Sequence, residues 1–216
     1  DRNQTALPVN PLTMSVEMLA EVAARLMPGK AVLAVQNIRA HRWMVVDNEL
    51  ELSLQGECIG PDRVYVSIRE ARSEVSTQSP IIEAEVVVGD SYPPPPAAGE
   101  FSLSAGRPSR FTAEVMYKTA MFSGPRFQAI HSIQTWGQDG QIATLRSLPQ
   151  VDLFRSTTQP RLIAAPVLLD AAGQTIAHWN GENDPDGFRL FPYYVDEIRF
   201  YAPGEPPPWL QSRLRI

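Results

Sequence analysis

Apolar residues recur along this chain with two periods, and the switch from one to the other marks its elements. Residues 1–12 show neither, and Pro8 and Pro11 give an extended lead-in that argues against helix. From Thr13 the spacing becomes helical, with Met14, Met18, Leu19, Val22, Ala23 and Leu26 on one stripe. Thr13 or Ser15 is placed to cap this helix, Glu17 suits its first turn, and Pro28-Gly29 ends it. The period then drops to two. Lys30–Ile38, Arg42–Val46, Leu50–Ile59, Arg63–Arg69 and Ile81–Val88 alternate and carry the Val and Ile of half-buried strands. Asp47-Asn48 and Gly60-Pro61-Asp62 are turn chemistry. One helix followed by about five strands on hairpin-length connections predicts an α+β unit with an antiparallel sheet.

The stretch Tyr92-Pro-Pro-Pro-Pro-Ala-Ala-Gly99 breaks the pattern. It suits a stiff polyproline II spacer that continues through Gly106 and Pro108. The chain is therefore divided into residues 1–92, a linker at 93–108, and residues 109–216. After the linker, Thr112–Met121 reads as a short helix capped by Thr112, with Glu114 in its first turn, and Phe122-Ser-Gly-Pro125 ends it. Phe127–Trp136 and Gln141–Leu145 form a hairpin around Gln138-Asp-Gly140. Pro166–Trp179 is a second main helix, and Asp184-Pro-Asp-Gly187 is a turn. Phe188–Pro192, Val195–Tyr201 and Trp209–Ile216 complete the strands. The order of elements repeats although the sequence does not, so the halves look like two copies of one unit.

Composition adds exclusions. With 44% hydrophobic and 20% charged residues in 216, the chain is ordinary for a globular protein. A formal charge of -5 gives no basic footprint for nucleic acid. No apolar run is long enough for a membrane span, and no signal-peptide pattern opens the chain. Cys58 is the only cysteine, which forbids an internal disulfide and suggests a reducing, cytoplasmic setting, where the Asn3-Gln-Thr5 sequon carries no meaning. His41, His131, His178 and Cys58 lack metal-ligand spacing, and no Gly-x-Ser-x-Gly occurs.

One position stands out chemically. Asp170 is set among Val167, Leu168, Leu169, Ala171 and Ala172 at the start of the second helix, with Gln174 four residues on and on the same face. A carboxyl group among apolar neighbours has its pKa raised by desolvation and can hold a proton near neutrality. The other reading is an N-terminal-turn aspartate stabilised by the helix dipole.

Several motifs, in order, resemble the dehydratase domain of type I polyketide synthases. Leu168-Leu-Asp-Ala-Ala-Gly-Gln174 is similar to that family's Asp-x-x-x-Gln/His motif, with Asp170 and Gln174 on its two defining positions. Phe122-Ser-Gly-Pro-Arg-Phe127 resembles the Tyr-Gly-Pro-x-Phe loop, with Phe122 in place of Tyr. Phe191-Pro-Tyr193 resembles the Leu-Pro-Phe element, and Pro11 to Glu21 the opening of the first hotdog helix. The resemblance spans nearly all of the chain. It implies a double hotdog, two antiparallel sheets each wrapped around a central helix.

It also implies water loss from a β-hydroxyacyl thioester carried on the phosphopantetheine of an acyl carrier protein, with no cofactor and no metal. Asp170 would protonate the departing hydroxyl, and Gln174 would orient Asp170 or that hydroxyl. Tyr117, Phe122, Gly124, Pro125, Phe127 and Pro192 would line the acyl path, Gly124 by allowing close backbone approach and Pro125 by fixing the turn; Tyr117 and Phe127 also suit ordinary core positions. Arg107, Arg110 and Arg126 would form a docking patch for an acidic carrier, and neighbouring synthase domains would be partners. Pairing into a homodimer is left open.

The family's catalytic histidine belongs to a His-x-x-x-Gly-x-x-x-x-Pro motif before the first hotdog helix, which does not occur here; the expectation is that it lies upstream and that the domain's end is also missing. His41 and His131 read as surface and structural residues, and His178 falls about 12 Å along the helix from Asp170. The alternatives are a non-catalytic double-hotdog scaffold, or a related isomerase or product-template cyclase.

Overall fold

The structure, a computed structural model, describes residues 8–46, 48–71, 79–119, 121–151, 153–183, 192–202 and 206–216. Helix α1 runs Leu12–Leu26 and is followed by strands β1 (Ala31–Ala40), β2 (Leu52–Cys58), β3 (Arg63–Glu70) and β4 (Ile82–Gly89). After the proline segment come helix α2 (Ala113–Thr119), a 3-10 turn at Pro125–Phe127, the hairpin β5 (Ile130–Gly137) and β6 (Gly140–Arg146), and helix α3 (Pro166–Asn183). Strands β7 (Tyr194–Arg199) and β8 (Trp209–Arg215) close the described chain.

Two antiparallel sheets result, one ordered β2-β3-β4-β1-β7 and one ordered β5-β6-β8. In β3 and β4 the alternation expected from sequence holds: Val64, Val66, Ile68, Ala84, Val86 and Val88 are buried. The register of β1 against β4 shifts between Val32 and Ala34 and between Gln36 and Arg39, with Asn37 at φ 53°. These bulges bend the long strand and let Val32, Val35 and Ile38 all reach the core despite their odd spacing.

Helix α1 lies across this sheet and also touches α3, so two of its faces are covered. That is why its fully buried residues are Val16, Leu19, Ala20 and Ala23, while Met14, Met18 and Val22 are half-buried and Leu26 is exposed. The buried stripe is therefore turned from the one the apolar spacing alone predicts, because a second face packs on α3. A Cβ on Gly56 of β2 would sit 2.5 Å from Leu26 and 2.8 Å from Val22, which shows how closely the helix covers that strand.

The second core joins Val167, Leu168 and Ala171 of α3 to Ala129, Ile130, Ala143 and Leu145 of the hairpin sheet, with Met116 of α2. Gly140 opens β6 at φ 145°, and a Cβ there would lie 1.9 Å from the Leu214 carbonyl oxygen, so only glycine allows β6 to meet β8.

Several expectations are corrected. Arg42–Val46 is not a sheet strand; it makes a single bridge, Val45 with Val9. Neither Thr13 nor Ser15 caps α1, whose N-cap is Pro11, and Glu17 lies beyond its first turn and is buried. Helix α3 runs one turn past Trp179, since its buried face turns polar there (Thr175, His178, Glu182) and the apolar period fades. The strand expected at Val195–Tyr201 forms as β7 but pairs with β1, returning the chain to the first sheet. Thr112 does cap α2, accepting the Val115 N–H at 3.2 Å. The Asp184–Gly187 turn and most of Phe188–Pro192 lie outside the described residues.

Candidate active site

Asp170 is not in the first turn of α3 but just beyond it, where a helix-dipole role weakens. It is half-buried and faces Thr13 of α1 and the connection between α2 and β5. Burial raises its carboxyl pKa above the ordinary aspartate value, with donated bonds from Gln174 and Thr13 opposing that rise.

The hydrogen bonds around it form one directed chain. The Gln174 amide nitrogen donates to Asp170 Oδ2 at 2.6 Å and to the Phe127 carbonyl at 2.9 Å. The Gln174 amide oxygen accepts from the Tyr117 hydroxyl at 2.8 Å. That hydroxyl in turn accepts the Ile130 N–H at 3.0 Å. Two backbone groups with fixed roles, a carbonyl and an N–H, therefore set the orientation of the amide. Among the described residues, Asp170 Oδ1 is held by the Thr13 hydroxyl alone, at a long 3.5 Å. The two carboxyl oxygens are thus unequal. The Gln174 NH2 at Oδ2 can only donate, whereas the Thr13 hydroxyl at Oδ1 can turn to accept, so the proton of the neutral acid belongs on Oδ1.

Tyr117 is more than a wall residue: burial first, then the Asp170 charge, pushes its phenol up to about 12, so it remains a hydrogen-bond donor. Phe127 contributes its carbonyl to this hydrogen-bond chain and also lines a cleft of about 270 Å³ with Pro8, Pro11, Met14, Val46 and Leu153. Asp170 does not itself line this cleft, though the neighbours of its partners do. Pro125 opens the 3-10 turn, and the Phe127 N–H bonds to the Gly124 carbonyl at 2.9 Å. Gly124 has an ordinary φ of -63°, and open space lies where a Cβ would point. Of the expected site residues, Asp170, Gln174, Tyr117 and Phe127 form one bonded cluster, while Phe122, Gly124, Pro125 and Pro192 are exposed.

None of the three histidines faces Asp170. His41 pairs with Glu83 at 3.0 Å on the surface. His131 is exposed and packs edge-on to Trp209. His178 is buried and sits among Gln141, Ser109 and Glu182, at 2.9, 3.4 and 3.8 Å. The Gln141 amide donates to the Thr175 carbonyl at 2.6 Å, so its oxygen receives the His178 Nδ1 proton. Burial lowers the His178 pKa, partly offset by Glu182.

Sequence reasoning missed this second cluster. The Glu182 carboxylate has no exposed surface, and burial alone would raise its pKa. Donated bonds from Ser109, Arg107 and the Arg110 N–H outweigh burial and hold it below the usual value. Arg107 and Arg110, expected in a carrier-docking patch, both pair with Glu182 while staying partly exposed, and Arg107 also stacks on Trp136 at 4.1 Å. Among the described residues no cluster of ligands suits a metal ion, and no helix is long and apolar enough to cross a membrane.

A family model described as the polyketide synthase dehydratase N-terminal domain matches residues 95–216. Among solved structures, the dehydratase domain of RzxB from Pseudomonas fluorescens is 14% identical with a TM-score of 0.69, covering 97% of this chain and 78% of that one. The PpsC dehydratase domain from Mycobacterium tuberculosis, solved in complex with C12:1-CoA, is 19% identical with a TM-score of 0.70, covering 91% and 70%. The dehydratase domain from the CurK module of the curacin synthase is 17% identical with a TM-score of 0.69, covering 96% and 73%. CurK dehydratase has also been solved as two inactive mutants, one histidine-to-phenylalanine and one aspartate-to-asparagine. At these identities the likeness shows a shared fold, the double hotdog. No curated protein matches the chain.

Proposed function

This chain belongs to the polyketide synthase dehydratase family, whose reaction is dehydration in polyketide biosynthesis, and we propose that Asp170 is the acid of that reaction. The observation that carries the proposal is the inequality of its two oxygens. Oδ2 is held by Gln174 and, through it, by Tyr117 and Phe127, while Oδ1 keeps a transferable proton under a raised pKa.

In the elimination a base takes the α-proton of a β-hydroxyacyl thioester, and the C–H electron pair becomes the Cα–Cβ double bond. The Cβ–O bond breaks as its oxygen takes the proton from Asp170 Oδ1, and water leaves. Asp170 ends as a carboxylate, which the Gln174 and Thr13 donors stabilise until solvent returns the proton. The inactive aspartate mutant of CurK supports an essential carboxyl group in this fold, and its inactive histidine mutant supports a histidine base. His41, His131 and His178 are engaged by other partners, so none of them is proposed as that base.

The substrate is an acyl thioester on the phosphopantetheine of an acyl carrier protein, delivered among neighbouring synthase domains; the C12:1-CoA complex of PpsC supports an acyl thioester arm of this kind. The apolar cleft beside Phe127 suits the acyl chain, and the exposed Phe122, Gly124, Pro125 and Pro192 would meet the substrate outside it. The open space at the Gly124 Cβ position suits a chain passing close to the backbone.

The test is Asp170→Asn in the intact protein, assayed for water loss from a β-hydroxyacyl carrier substrate. Asparagine keeps the shape and the Gln174 contact region but has no acidic proton, and turnover is expected to fall by about 100- to 10,000-fold. Undiminished turnover removes Asp170 from the mechanism.

A further inference from the structure

Glu17 is left only 2% exposed in the middle of α1, where a glutamate ordinarily stays in water. Each of its carboxylate oxygens takes one backbone N–H from the far half of the chain: Ile163 at 2.7 Å and Ala164 at 2.6 Å. Those residues lie in a bend outside helix and strand, where a buried N–H needs an acceptor from elsewhere. Next comes Ala165 at φ 46°, whose carbonyl receives the Leu168 and Leu169 N–H groups and so begins α3. One turn earlier on the same face of α1, Thr13 donates to Asp170. Thr13 and Glu17, at i and i+4, therefore hold α3 at two points, its entry and its acid.

The apolar contacts of Val167, Leu168 and Ala171 press α3 onto the sheet but are not directional. A slip of one residue would move Asp170 by about 1.5 Å along the axis and turn it by about 100°. We propose that Glu17 is a positioning residue for the dehydration: by clamping Ile163 and Ala164 it fixes the register of α3 and hence the direction in which Asp170 Oδ1 points. This rests on Asp170 being the acid.

The test measures Glu17→Gln and Glu17→Asp beside Asp170→Asn in the full-length protein, with turnover of a β-hydroxyacyl carrier substrate normalised to folded enzyme. Glutamine keeps one acceptor and turns an amide NH2 toward an N–H; aspartate keeps both acceptors on a shorter stem. Glu17→Gln is expected to lower kcat by about 10- to 100-fold with KM changed less than about twofold, because a misplaced acid slows the step without loosening the substrate. Glu17→Asp is expected to recover part of that loss, and it carries the test if the glutamine variant does not fold. A kcat within twofold of wild type, with a lowered melting temperature or a raised KM alone, overturns the positioning role. If Asp170→Asn itself turns over normally, the acid assignment fails first. If Asp170→Asn is inactive while the Glu17 variants keep kcat, only the role of Glu17 fails.

Discussion

Replacing Tyr117 with phenylalanine removes one oxygen and disconnects two buried groups. The Ile130 N–H loses its acceptor at 3.0 Å, and the Gln174 amide oxygen loses its donor at 2.8 Å. Ile130 is 4% exposed and Gln174 7%, so water replaces neither partner readily. A buried polar group left without a partner costs about 1–3 kcal/mol. For the Ile130 amide that cost acts directly on local opening, so its hydrogen exchange is expected to accelerate by about 5- to 150-fold. Gln174 keeps its bonds to Phe127 and Asp170, so kcat is expected to fall only about 3- to 10-fold. The assay is amide exchange resolved to residues 128–133, with the Trp136 amide as internal control, since its acceptor is the Arg107 carbonyl and not Tyr117. Unchanged exchange at Ile130 with a folded protein would refute the directed chain from backbone to acid.

Three further outcomes follow from the same contacts. Asp170 acts in its protonated form, so turnover is expected to fall as pH rises through its raised pKa; Thr13→Val removes a donor that favours the carboxylate, and this falling limb moves to higher pH in a kcat–pH profile. A limb that stays put sinks the assignment of that limb to Asp170. Glu182→Gln is expected to cost about 1–3 kcal/mol in urea unfolding at neutral pH, less than a fully buried pair because Arg107 and Arg110 are partly exposed and can be resolvated. The Glu182 pKa is held low, so this contribution is present above the ordinary glutamate pKa and is lost as pH falls through the folded value; the gap between variant and wild type is expected to close in acid. Gly140→Ala forces a Cβ onto the Leu214 carbonyl at φ 145° and is expected to destabilise the protein by more than about 2 kcal/mol, visible as a lower melting temperature. An unchanged melting point would mean that β6 and β8 pair less tightly than described.

The fold was legible where side-chain pattern and backbone need coincide. The Val- and Ile-rich strands, the Gln138-Asp-Gly140 hairpin and the Thr112 cap all formed because a local rule dictates each one. Arg42–Val46 alternates too, yet only Val45 pairs, since alternation records a chance to pair and not a partner. The destination of β7 was invisible for the same reason, because strand order is set by packing of the whole chain. At the candidate site, Asp170 and Gln174 were legible as an acid in an apolar run with an amide one turn on. Spacing alone shows Tyr117 as a wall and Thr13 as a cap candidate, and neither as a hydrogen-bond donor to the acid's surroundings. Their roles depend on contacts across 57 and 157 residues of sequence, which periodicity does not encode.

Glu17, Asp170 and Glu182 carry carboxyl groups set at least partly away from water, and their surroundings give them different chemistry. Glu182 is pressed by two guanidinium groups and a hydroxyl, which keep it charged and make it a latch between the linker and the far end of α3. Glu17 has its pKa raised by burial, but both of its oxygens are taken by backbone N–H groups. A proton there would break one of those bonds, so it has none to give without loosening α3. Asp170 also has a raised pKa, yet only one oxygen is firmly held and its charge faces no cation among its described hydrogen-bond partners. Of the three, only Asp170 can release and regain a proton while its bonds to the protein stay in place. That difference in bonding, more than the depth of burial, is what suits it to be the acid.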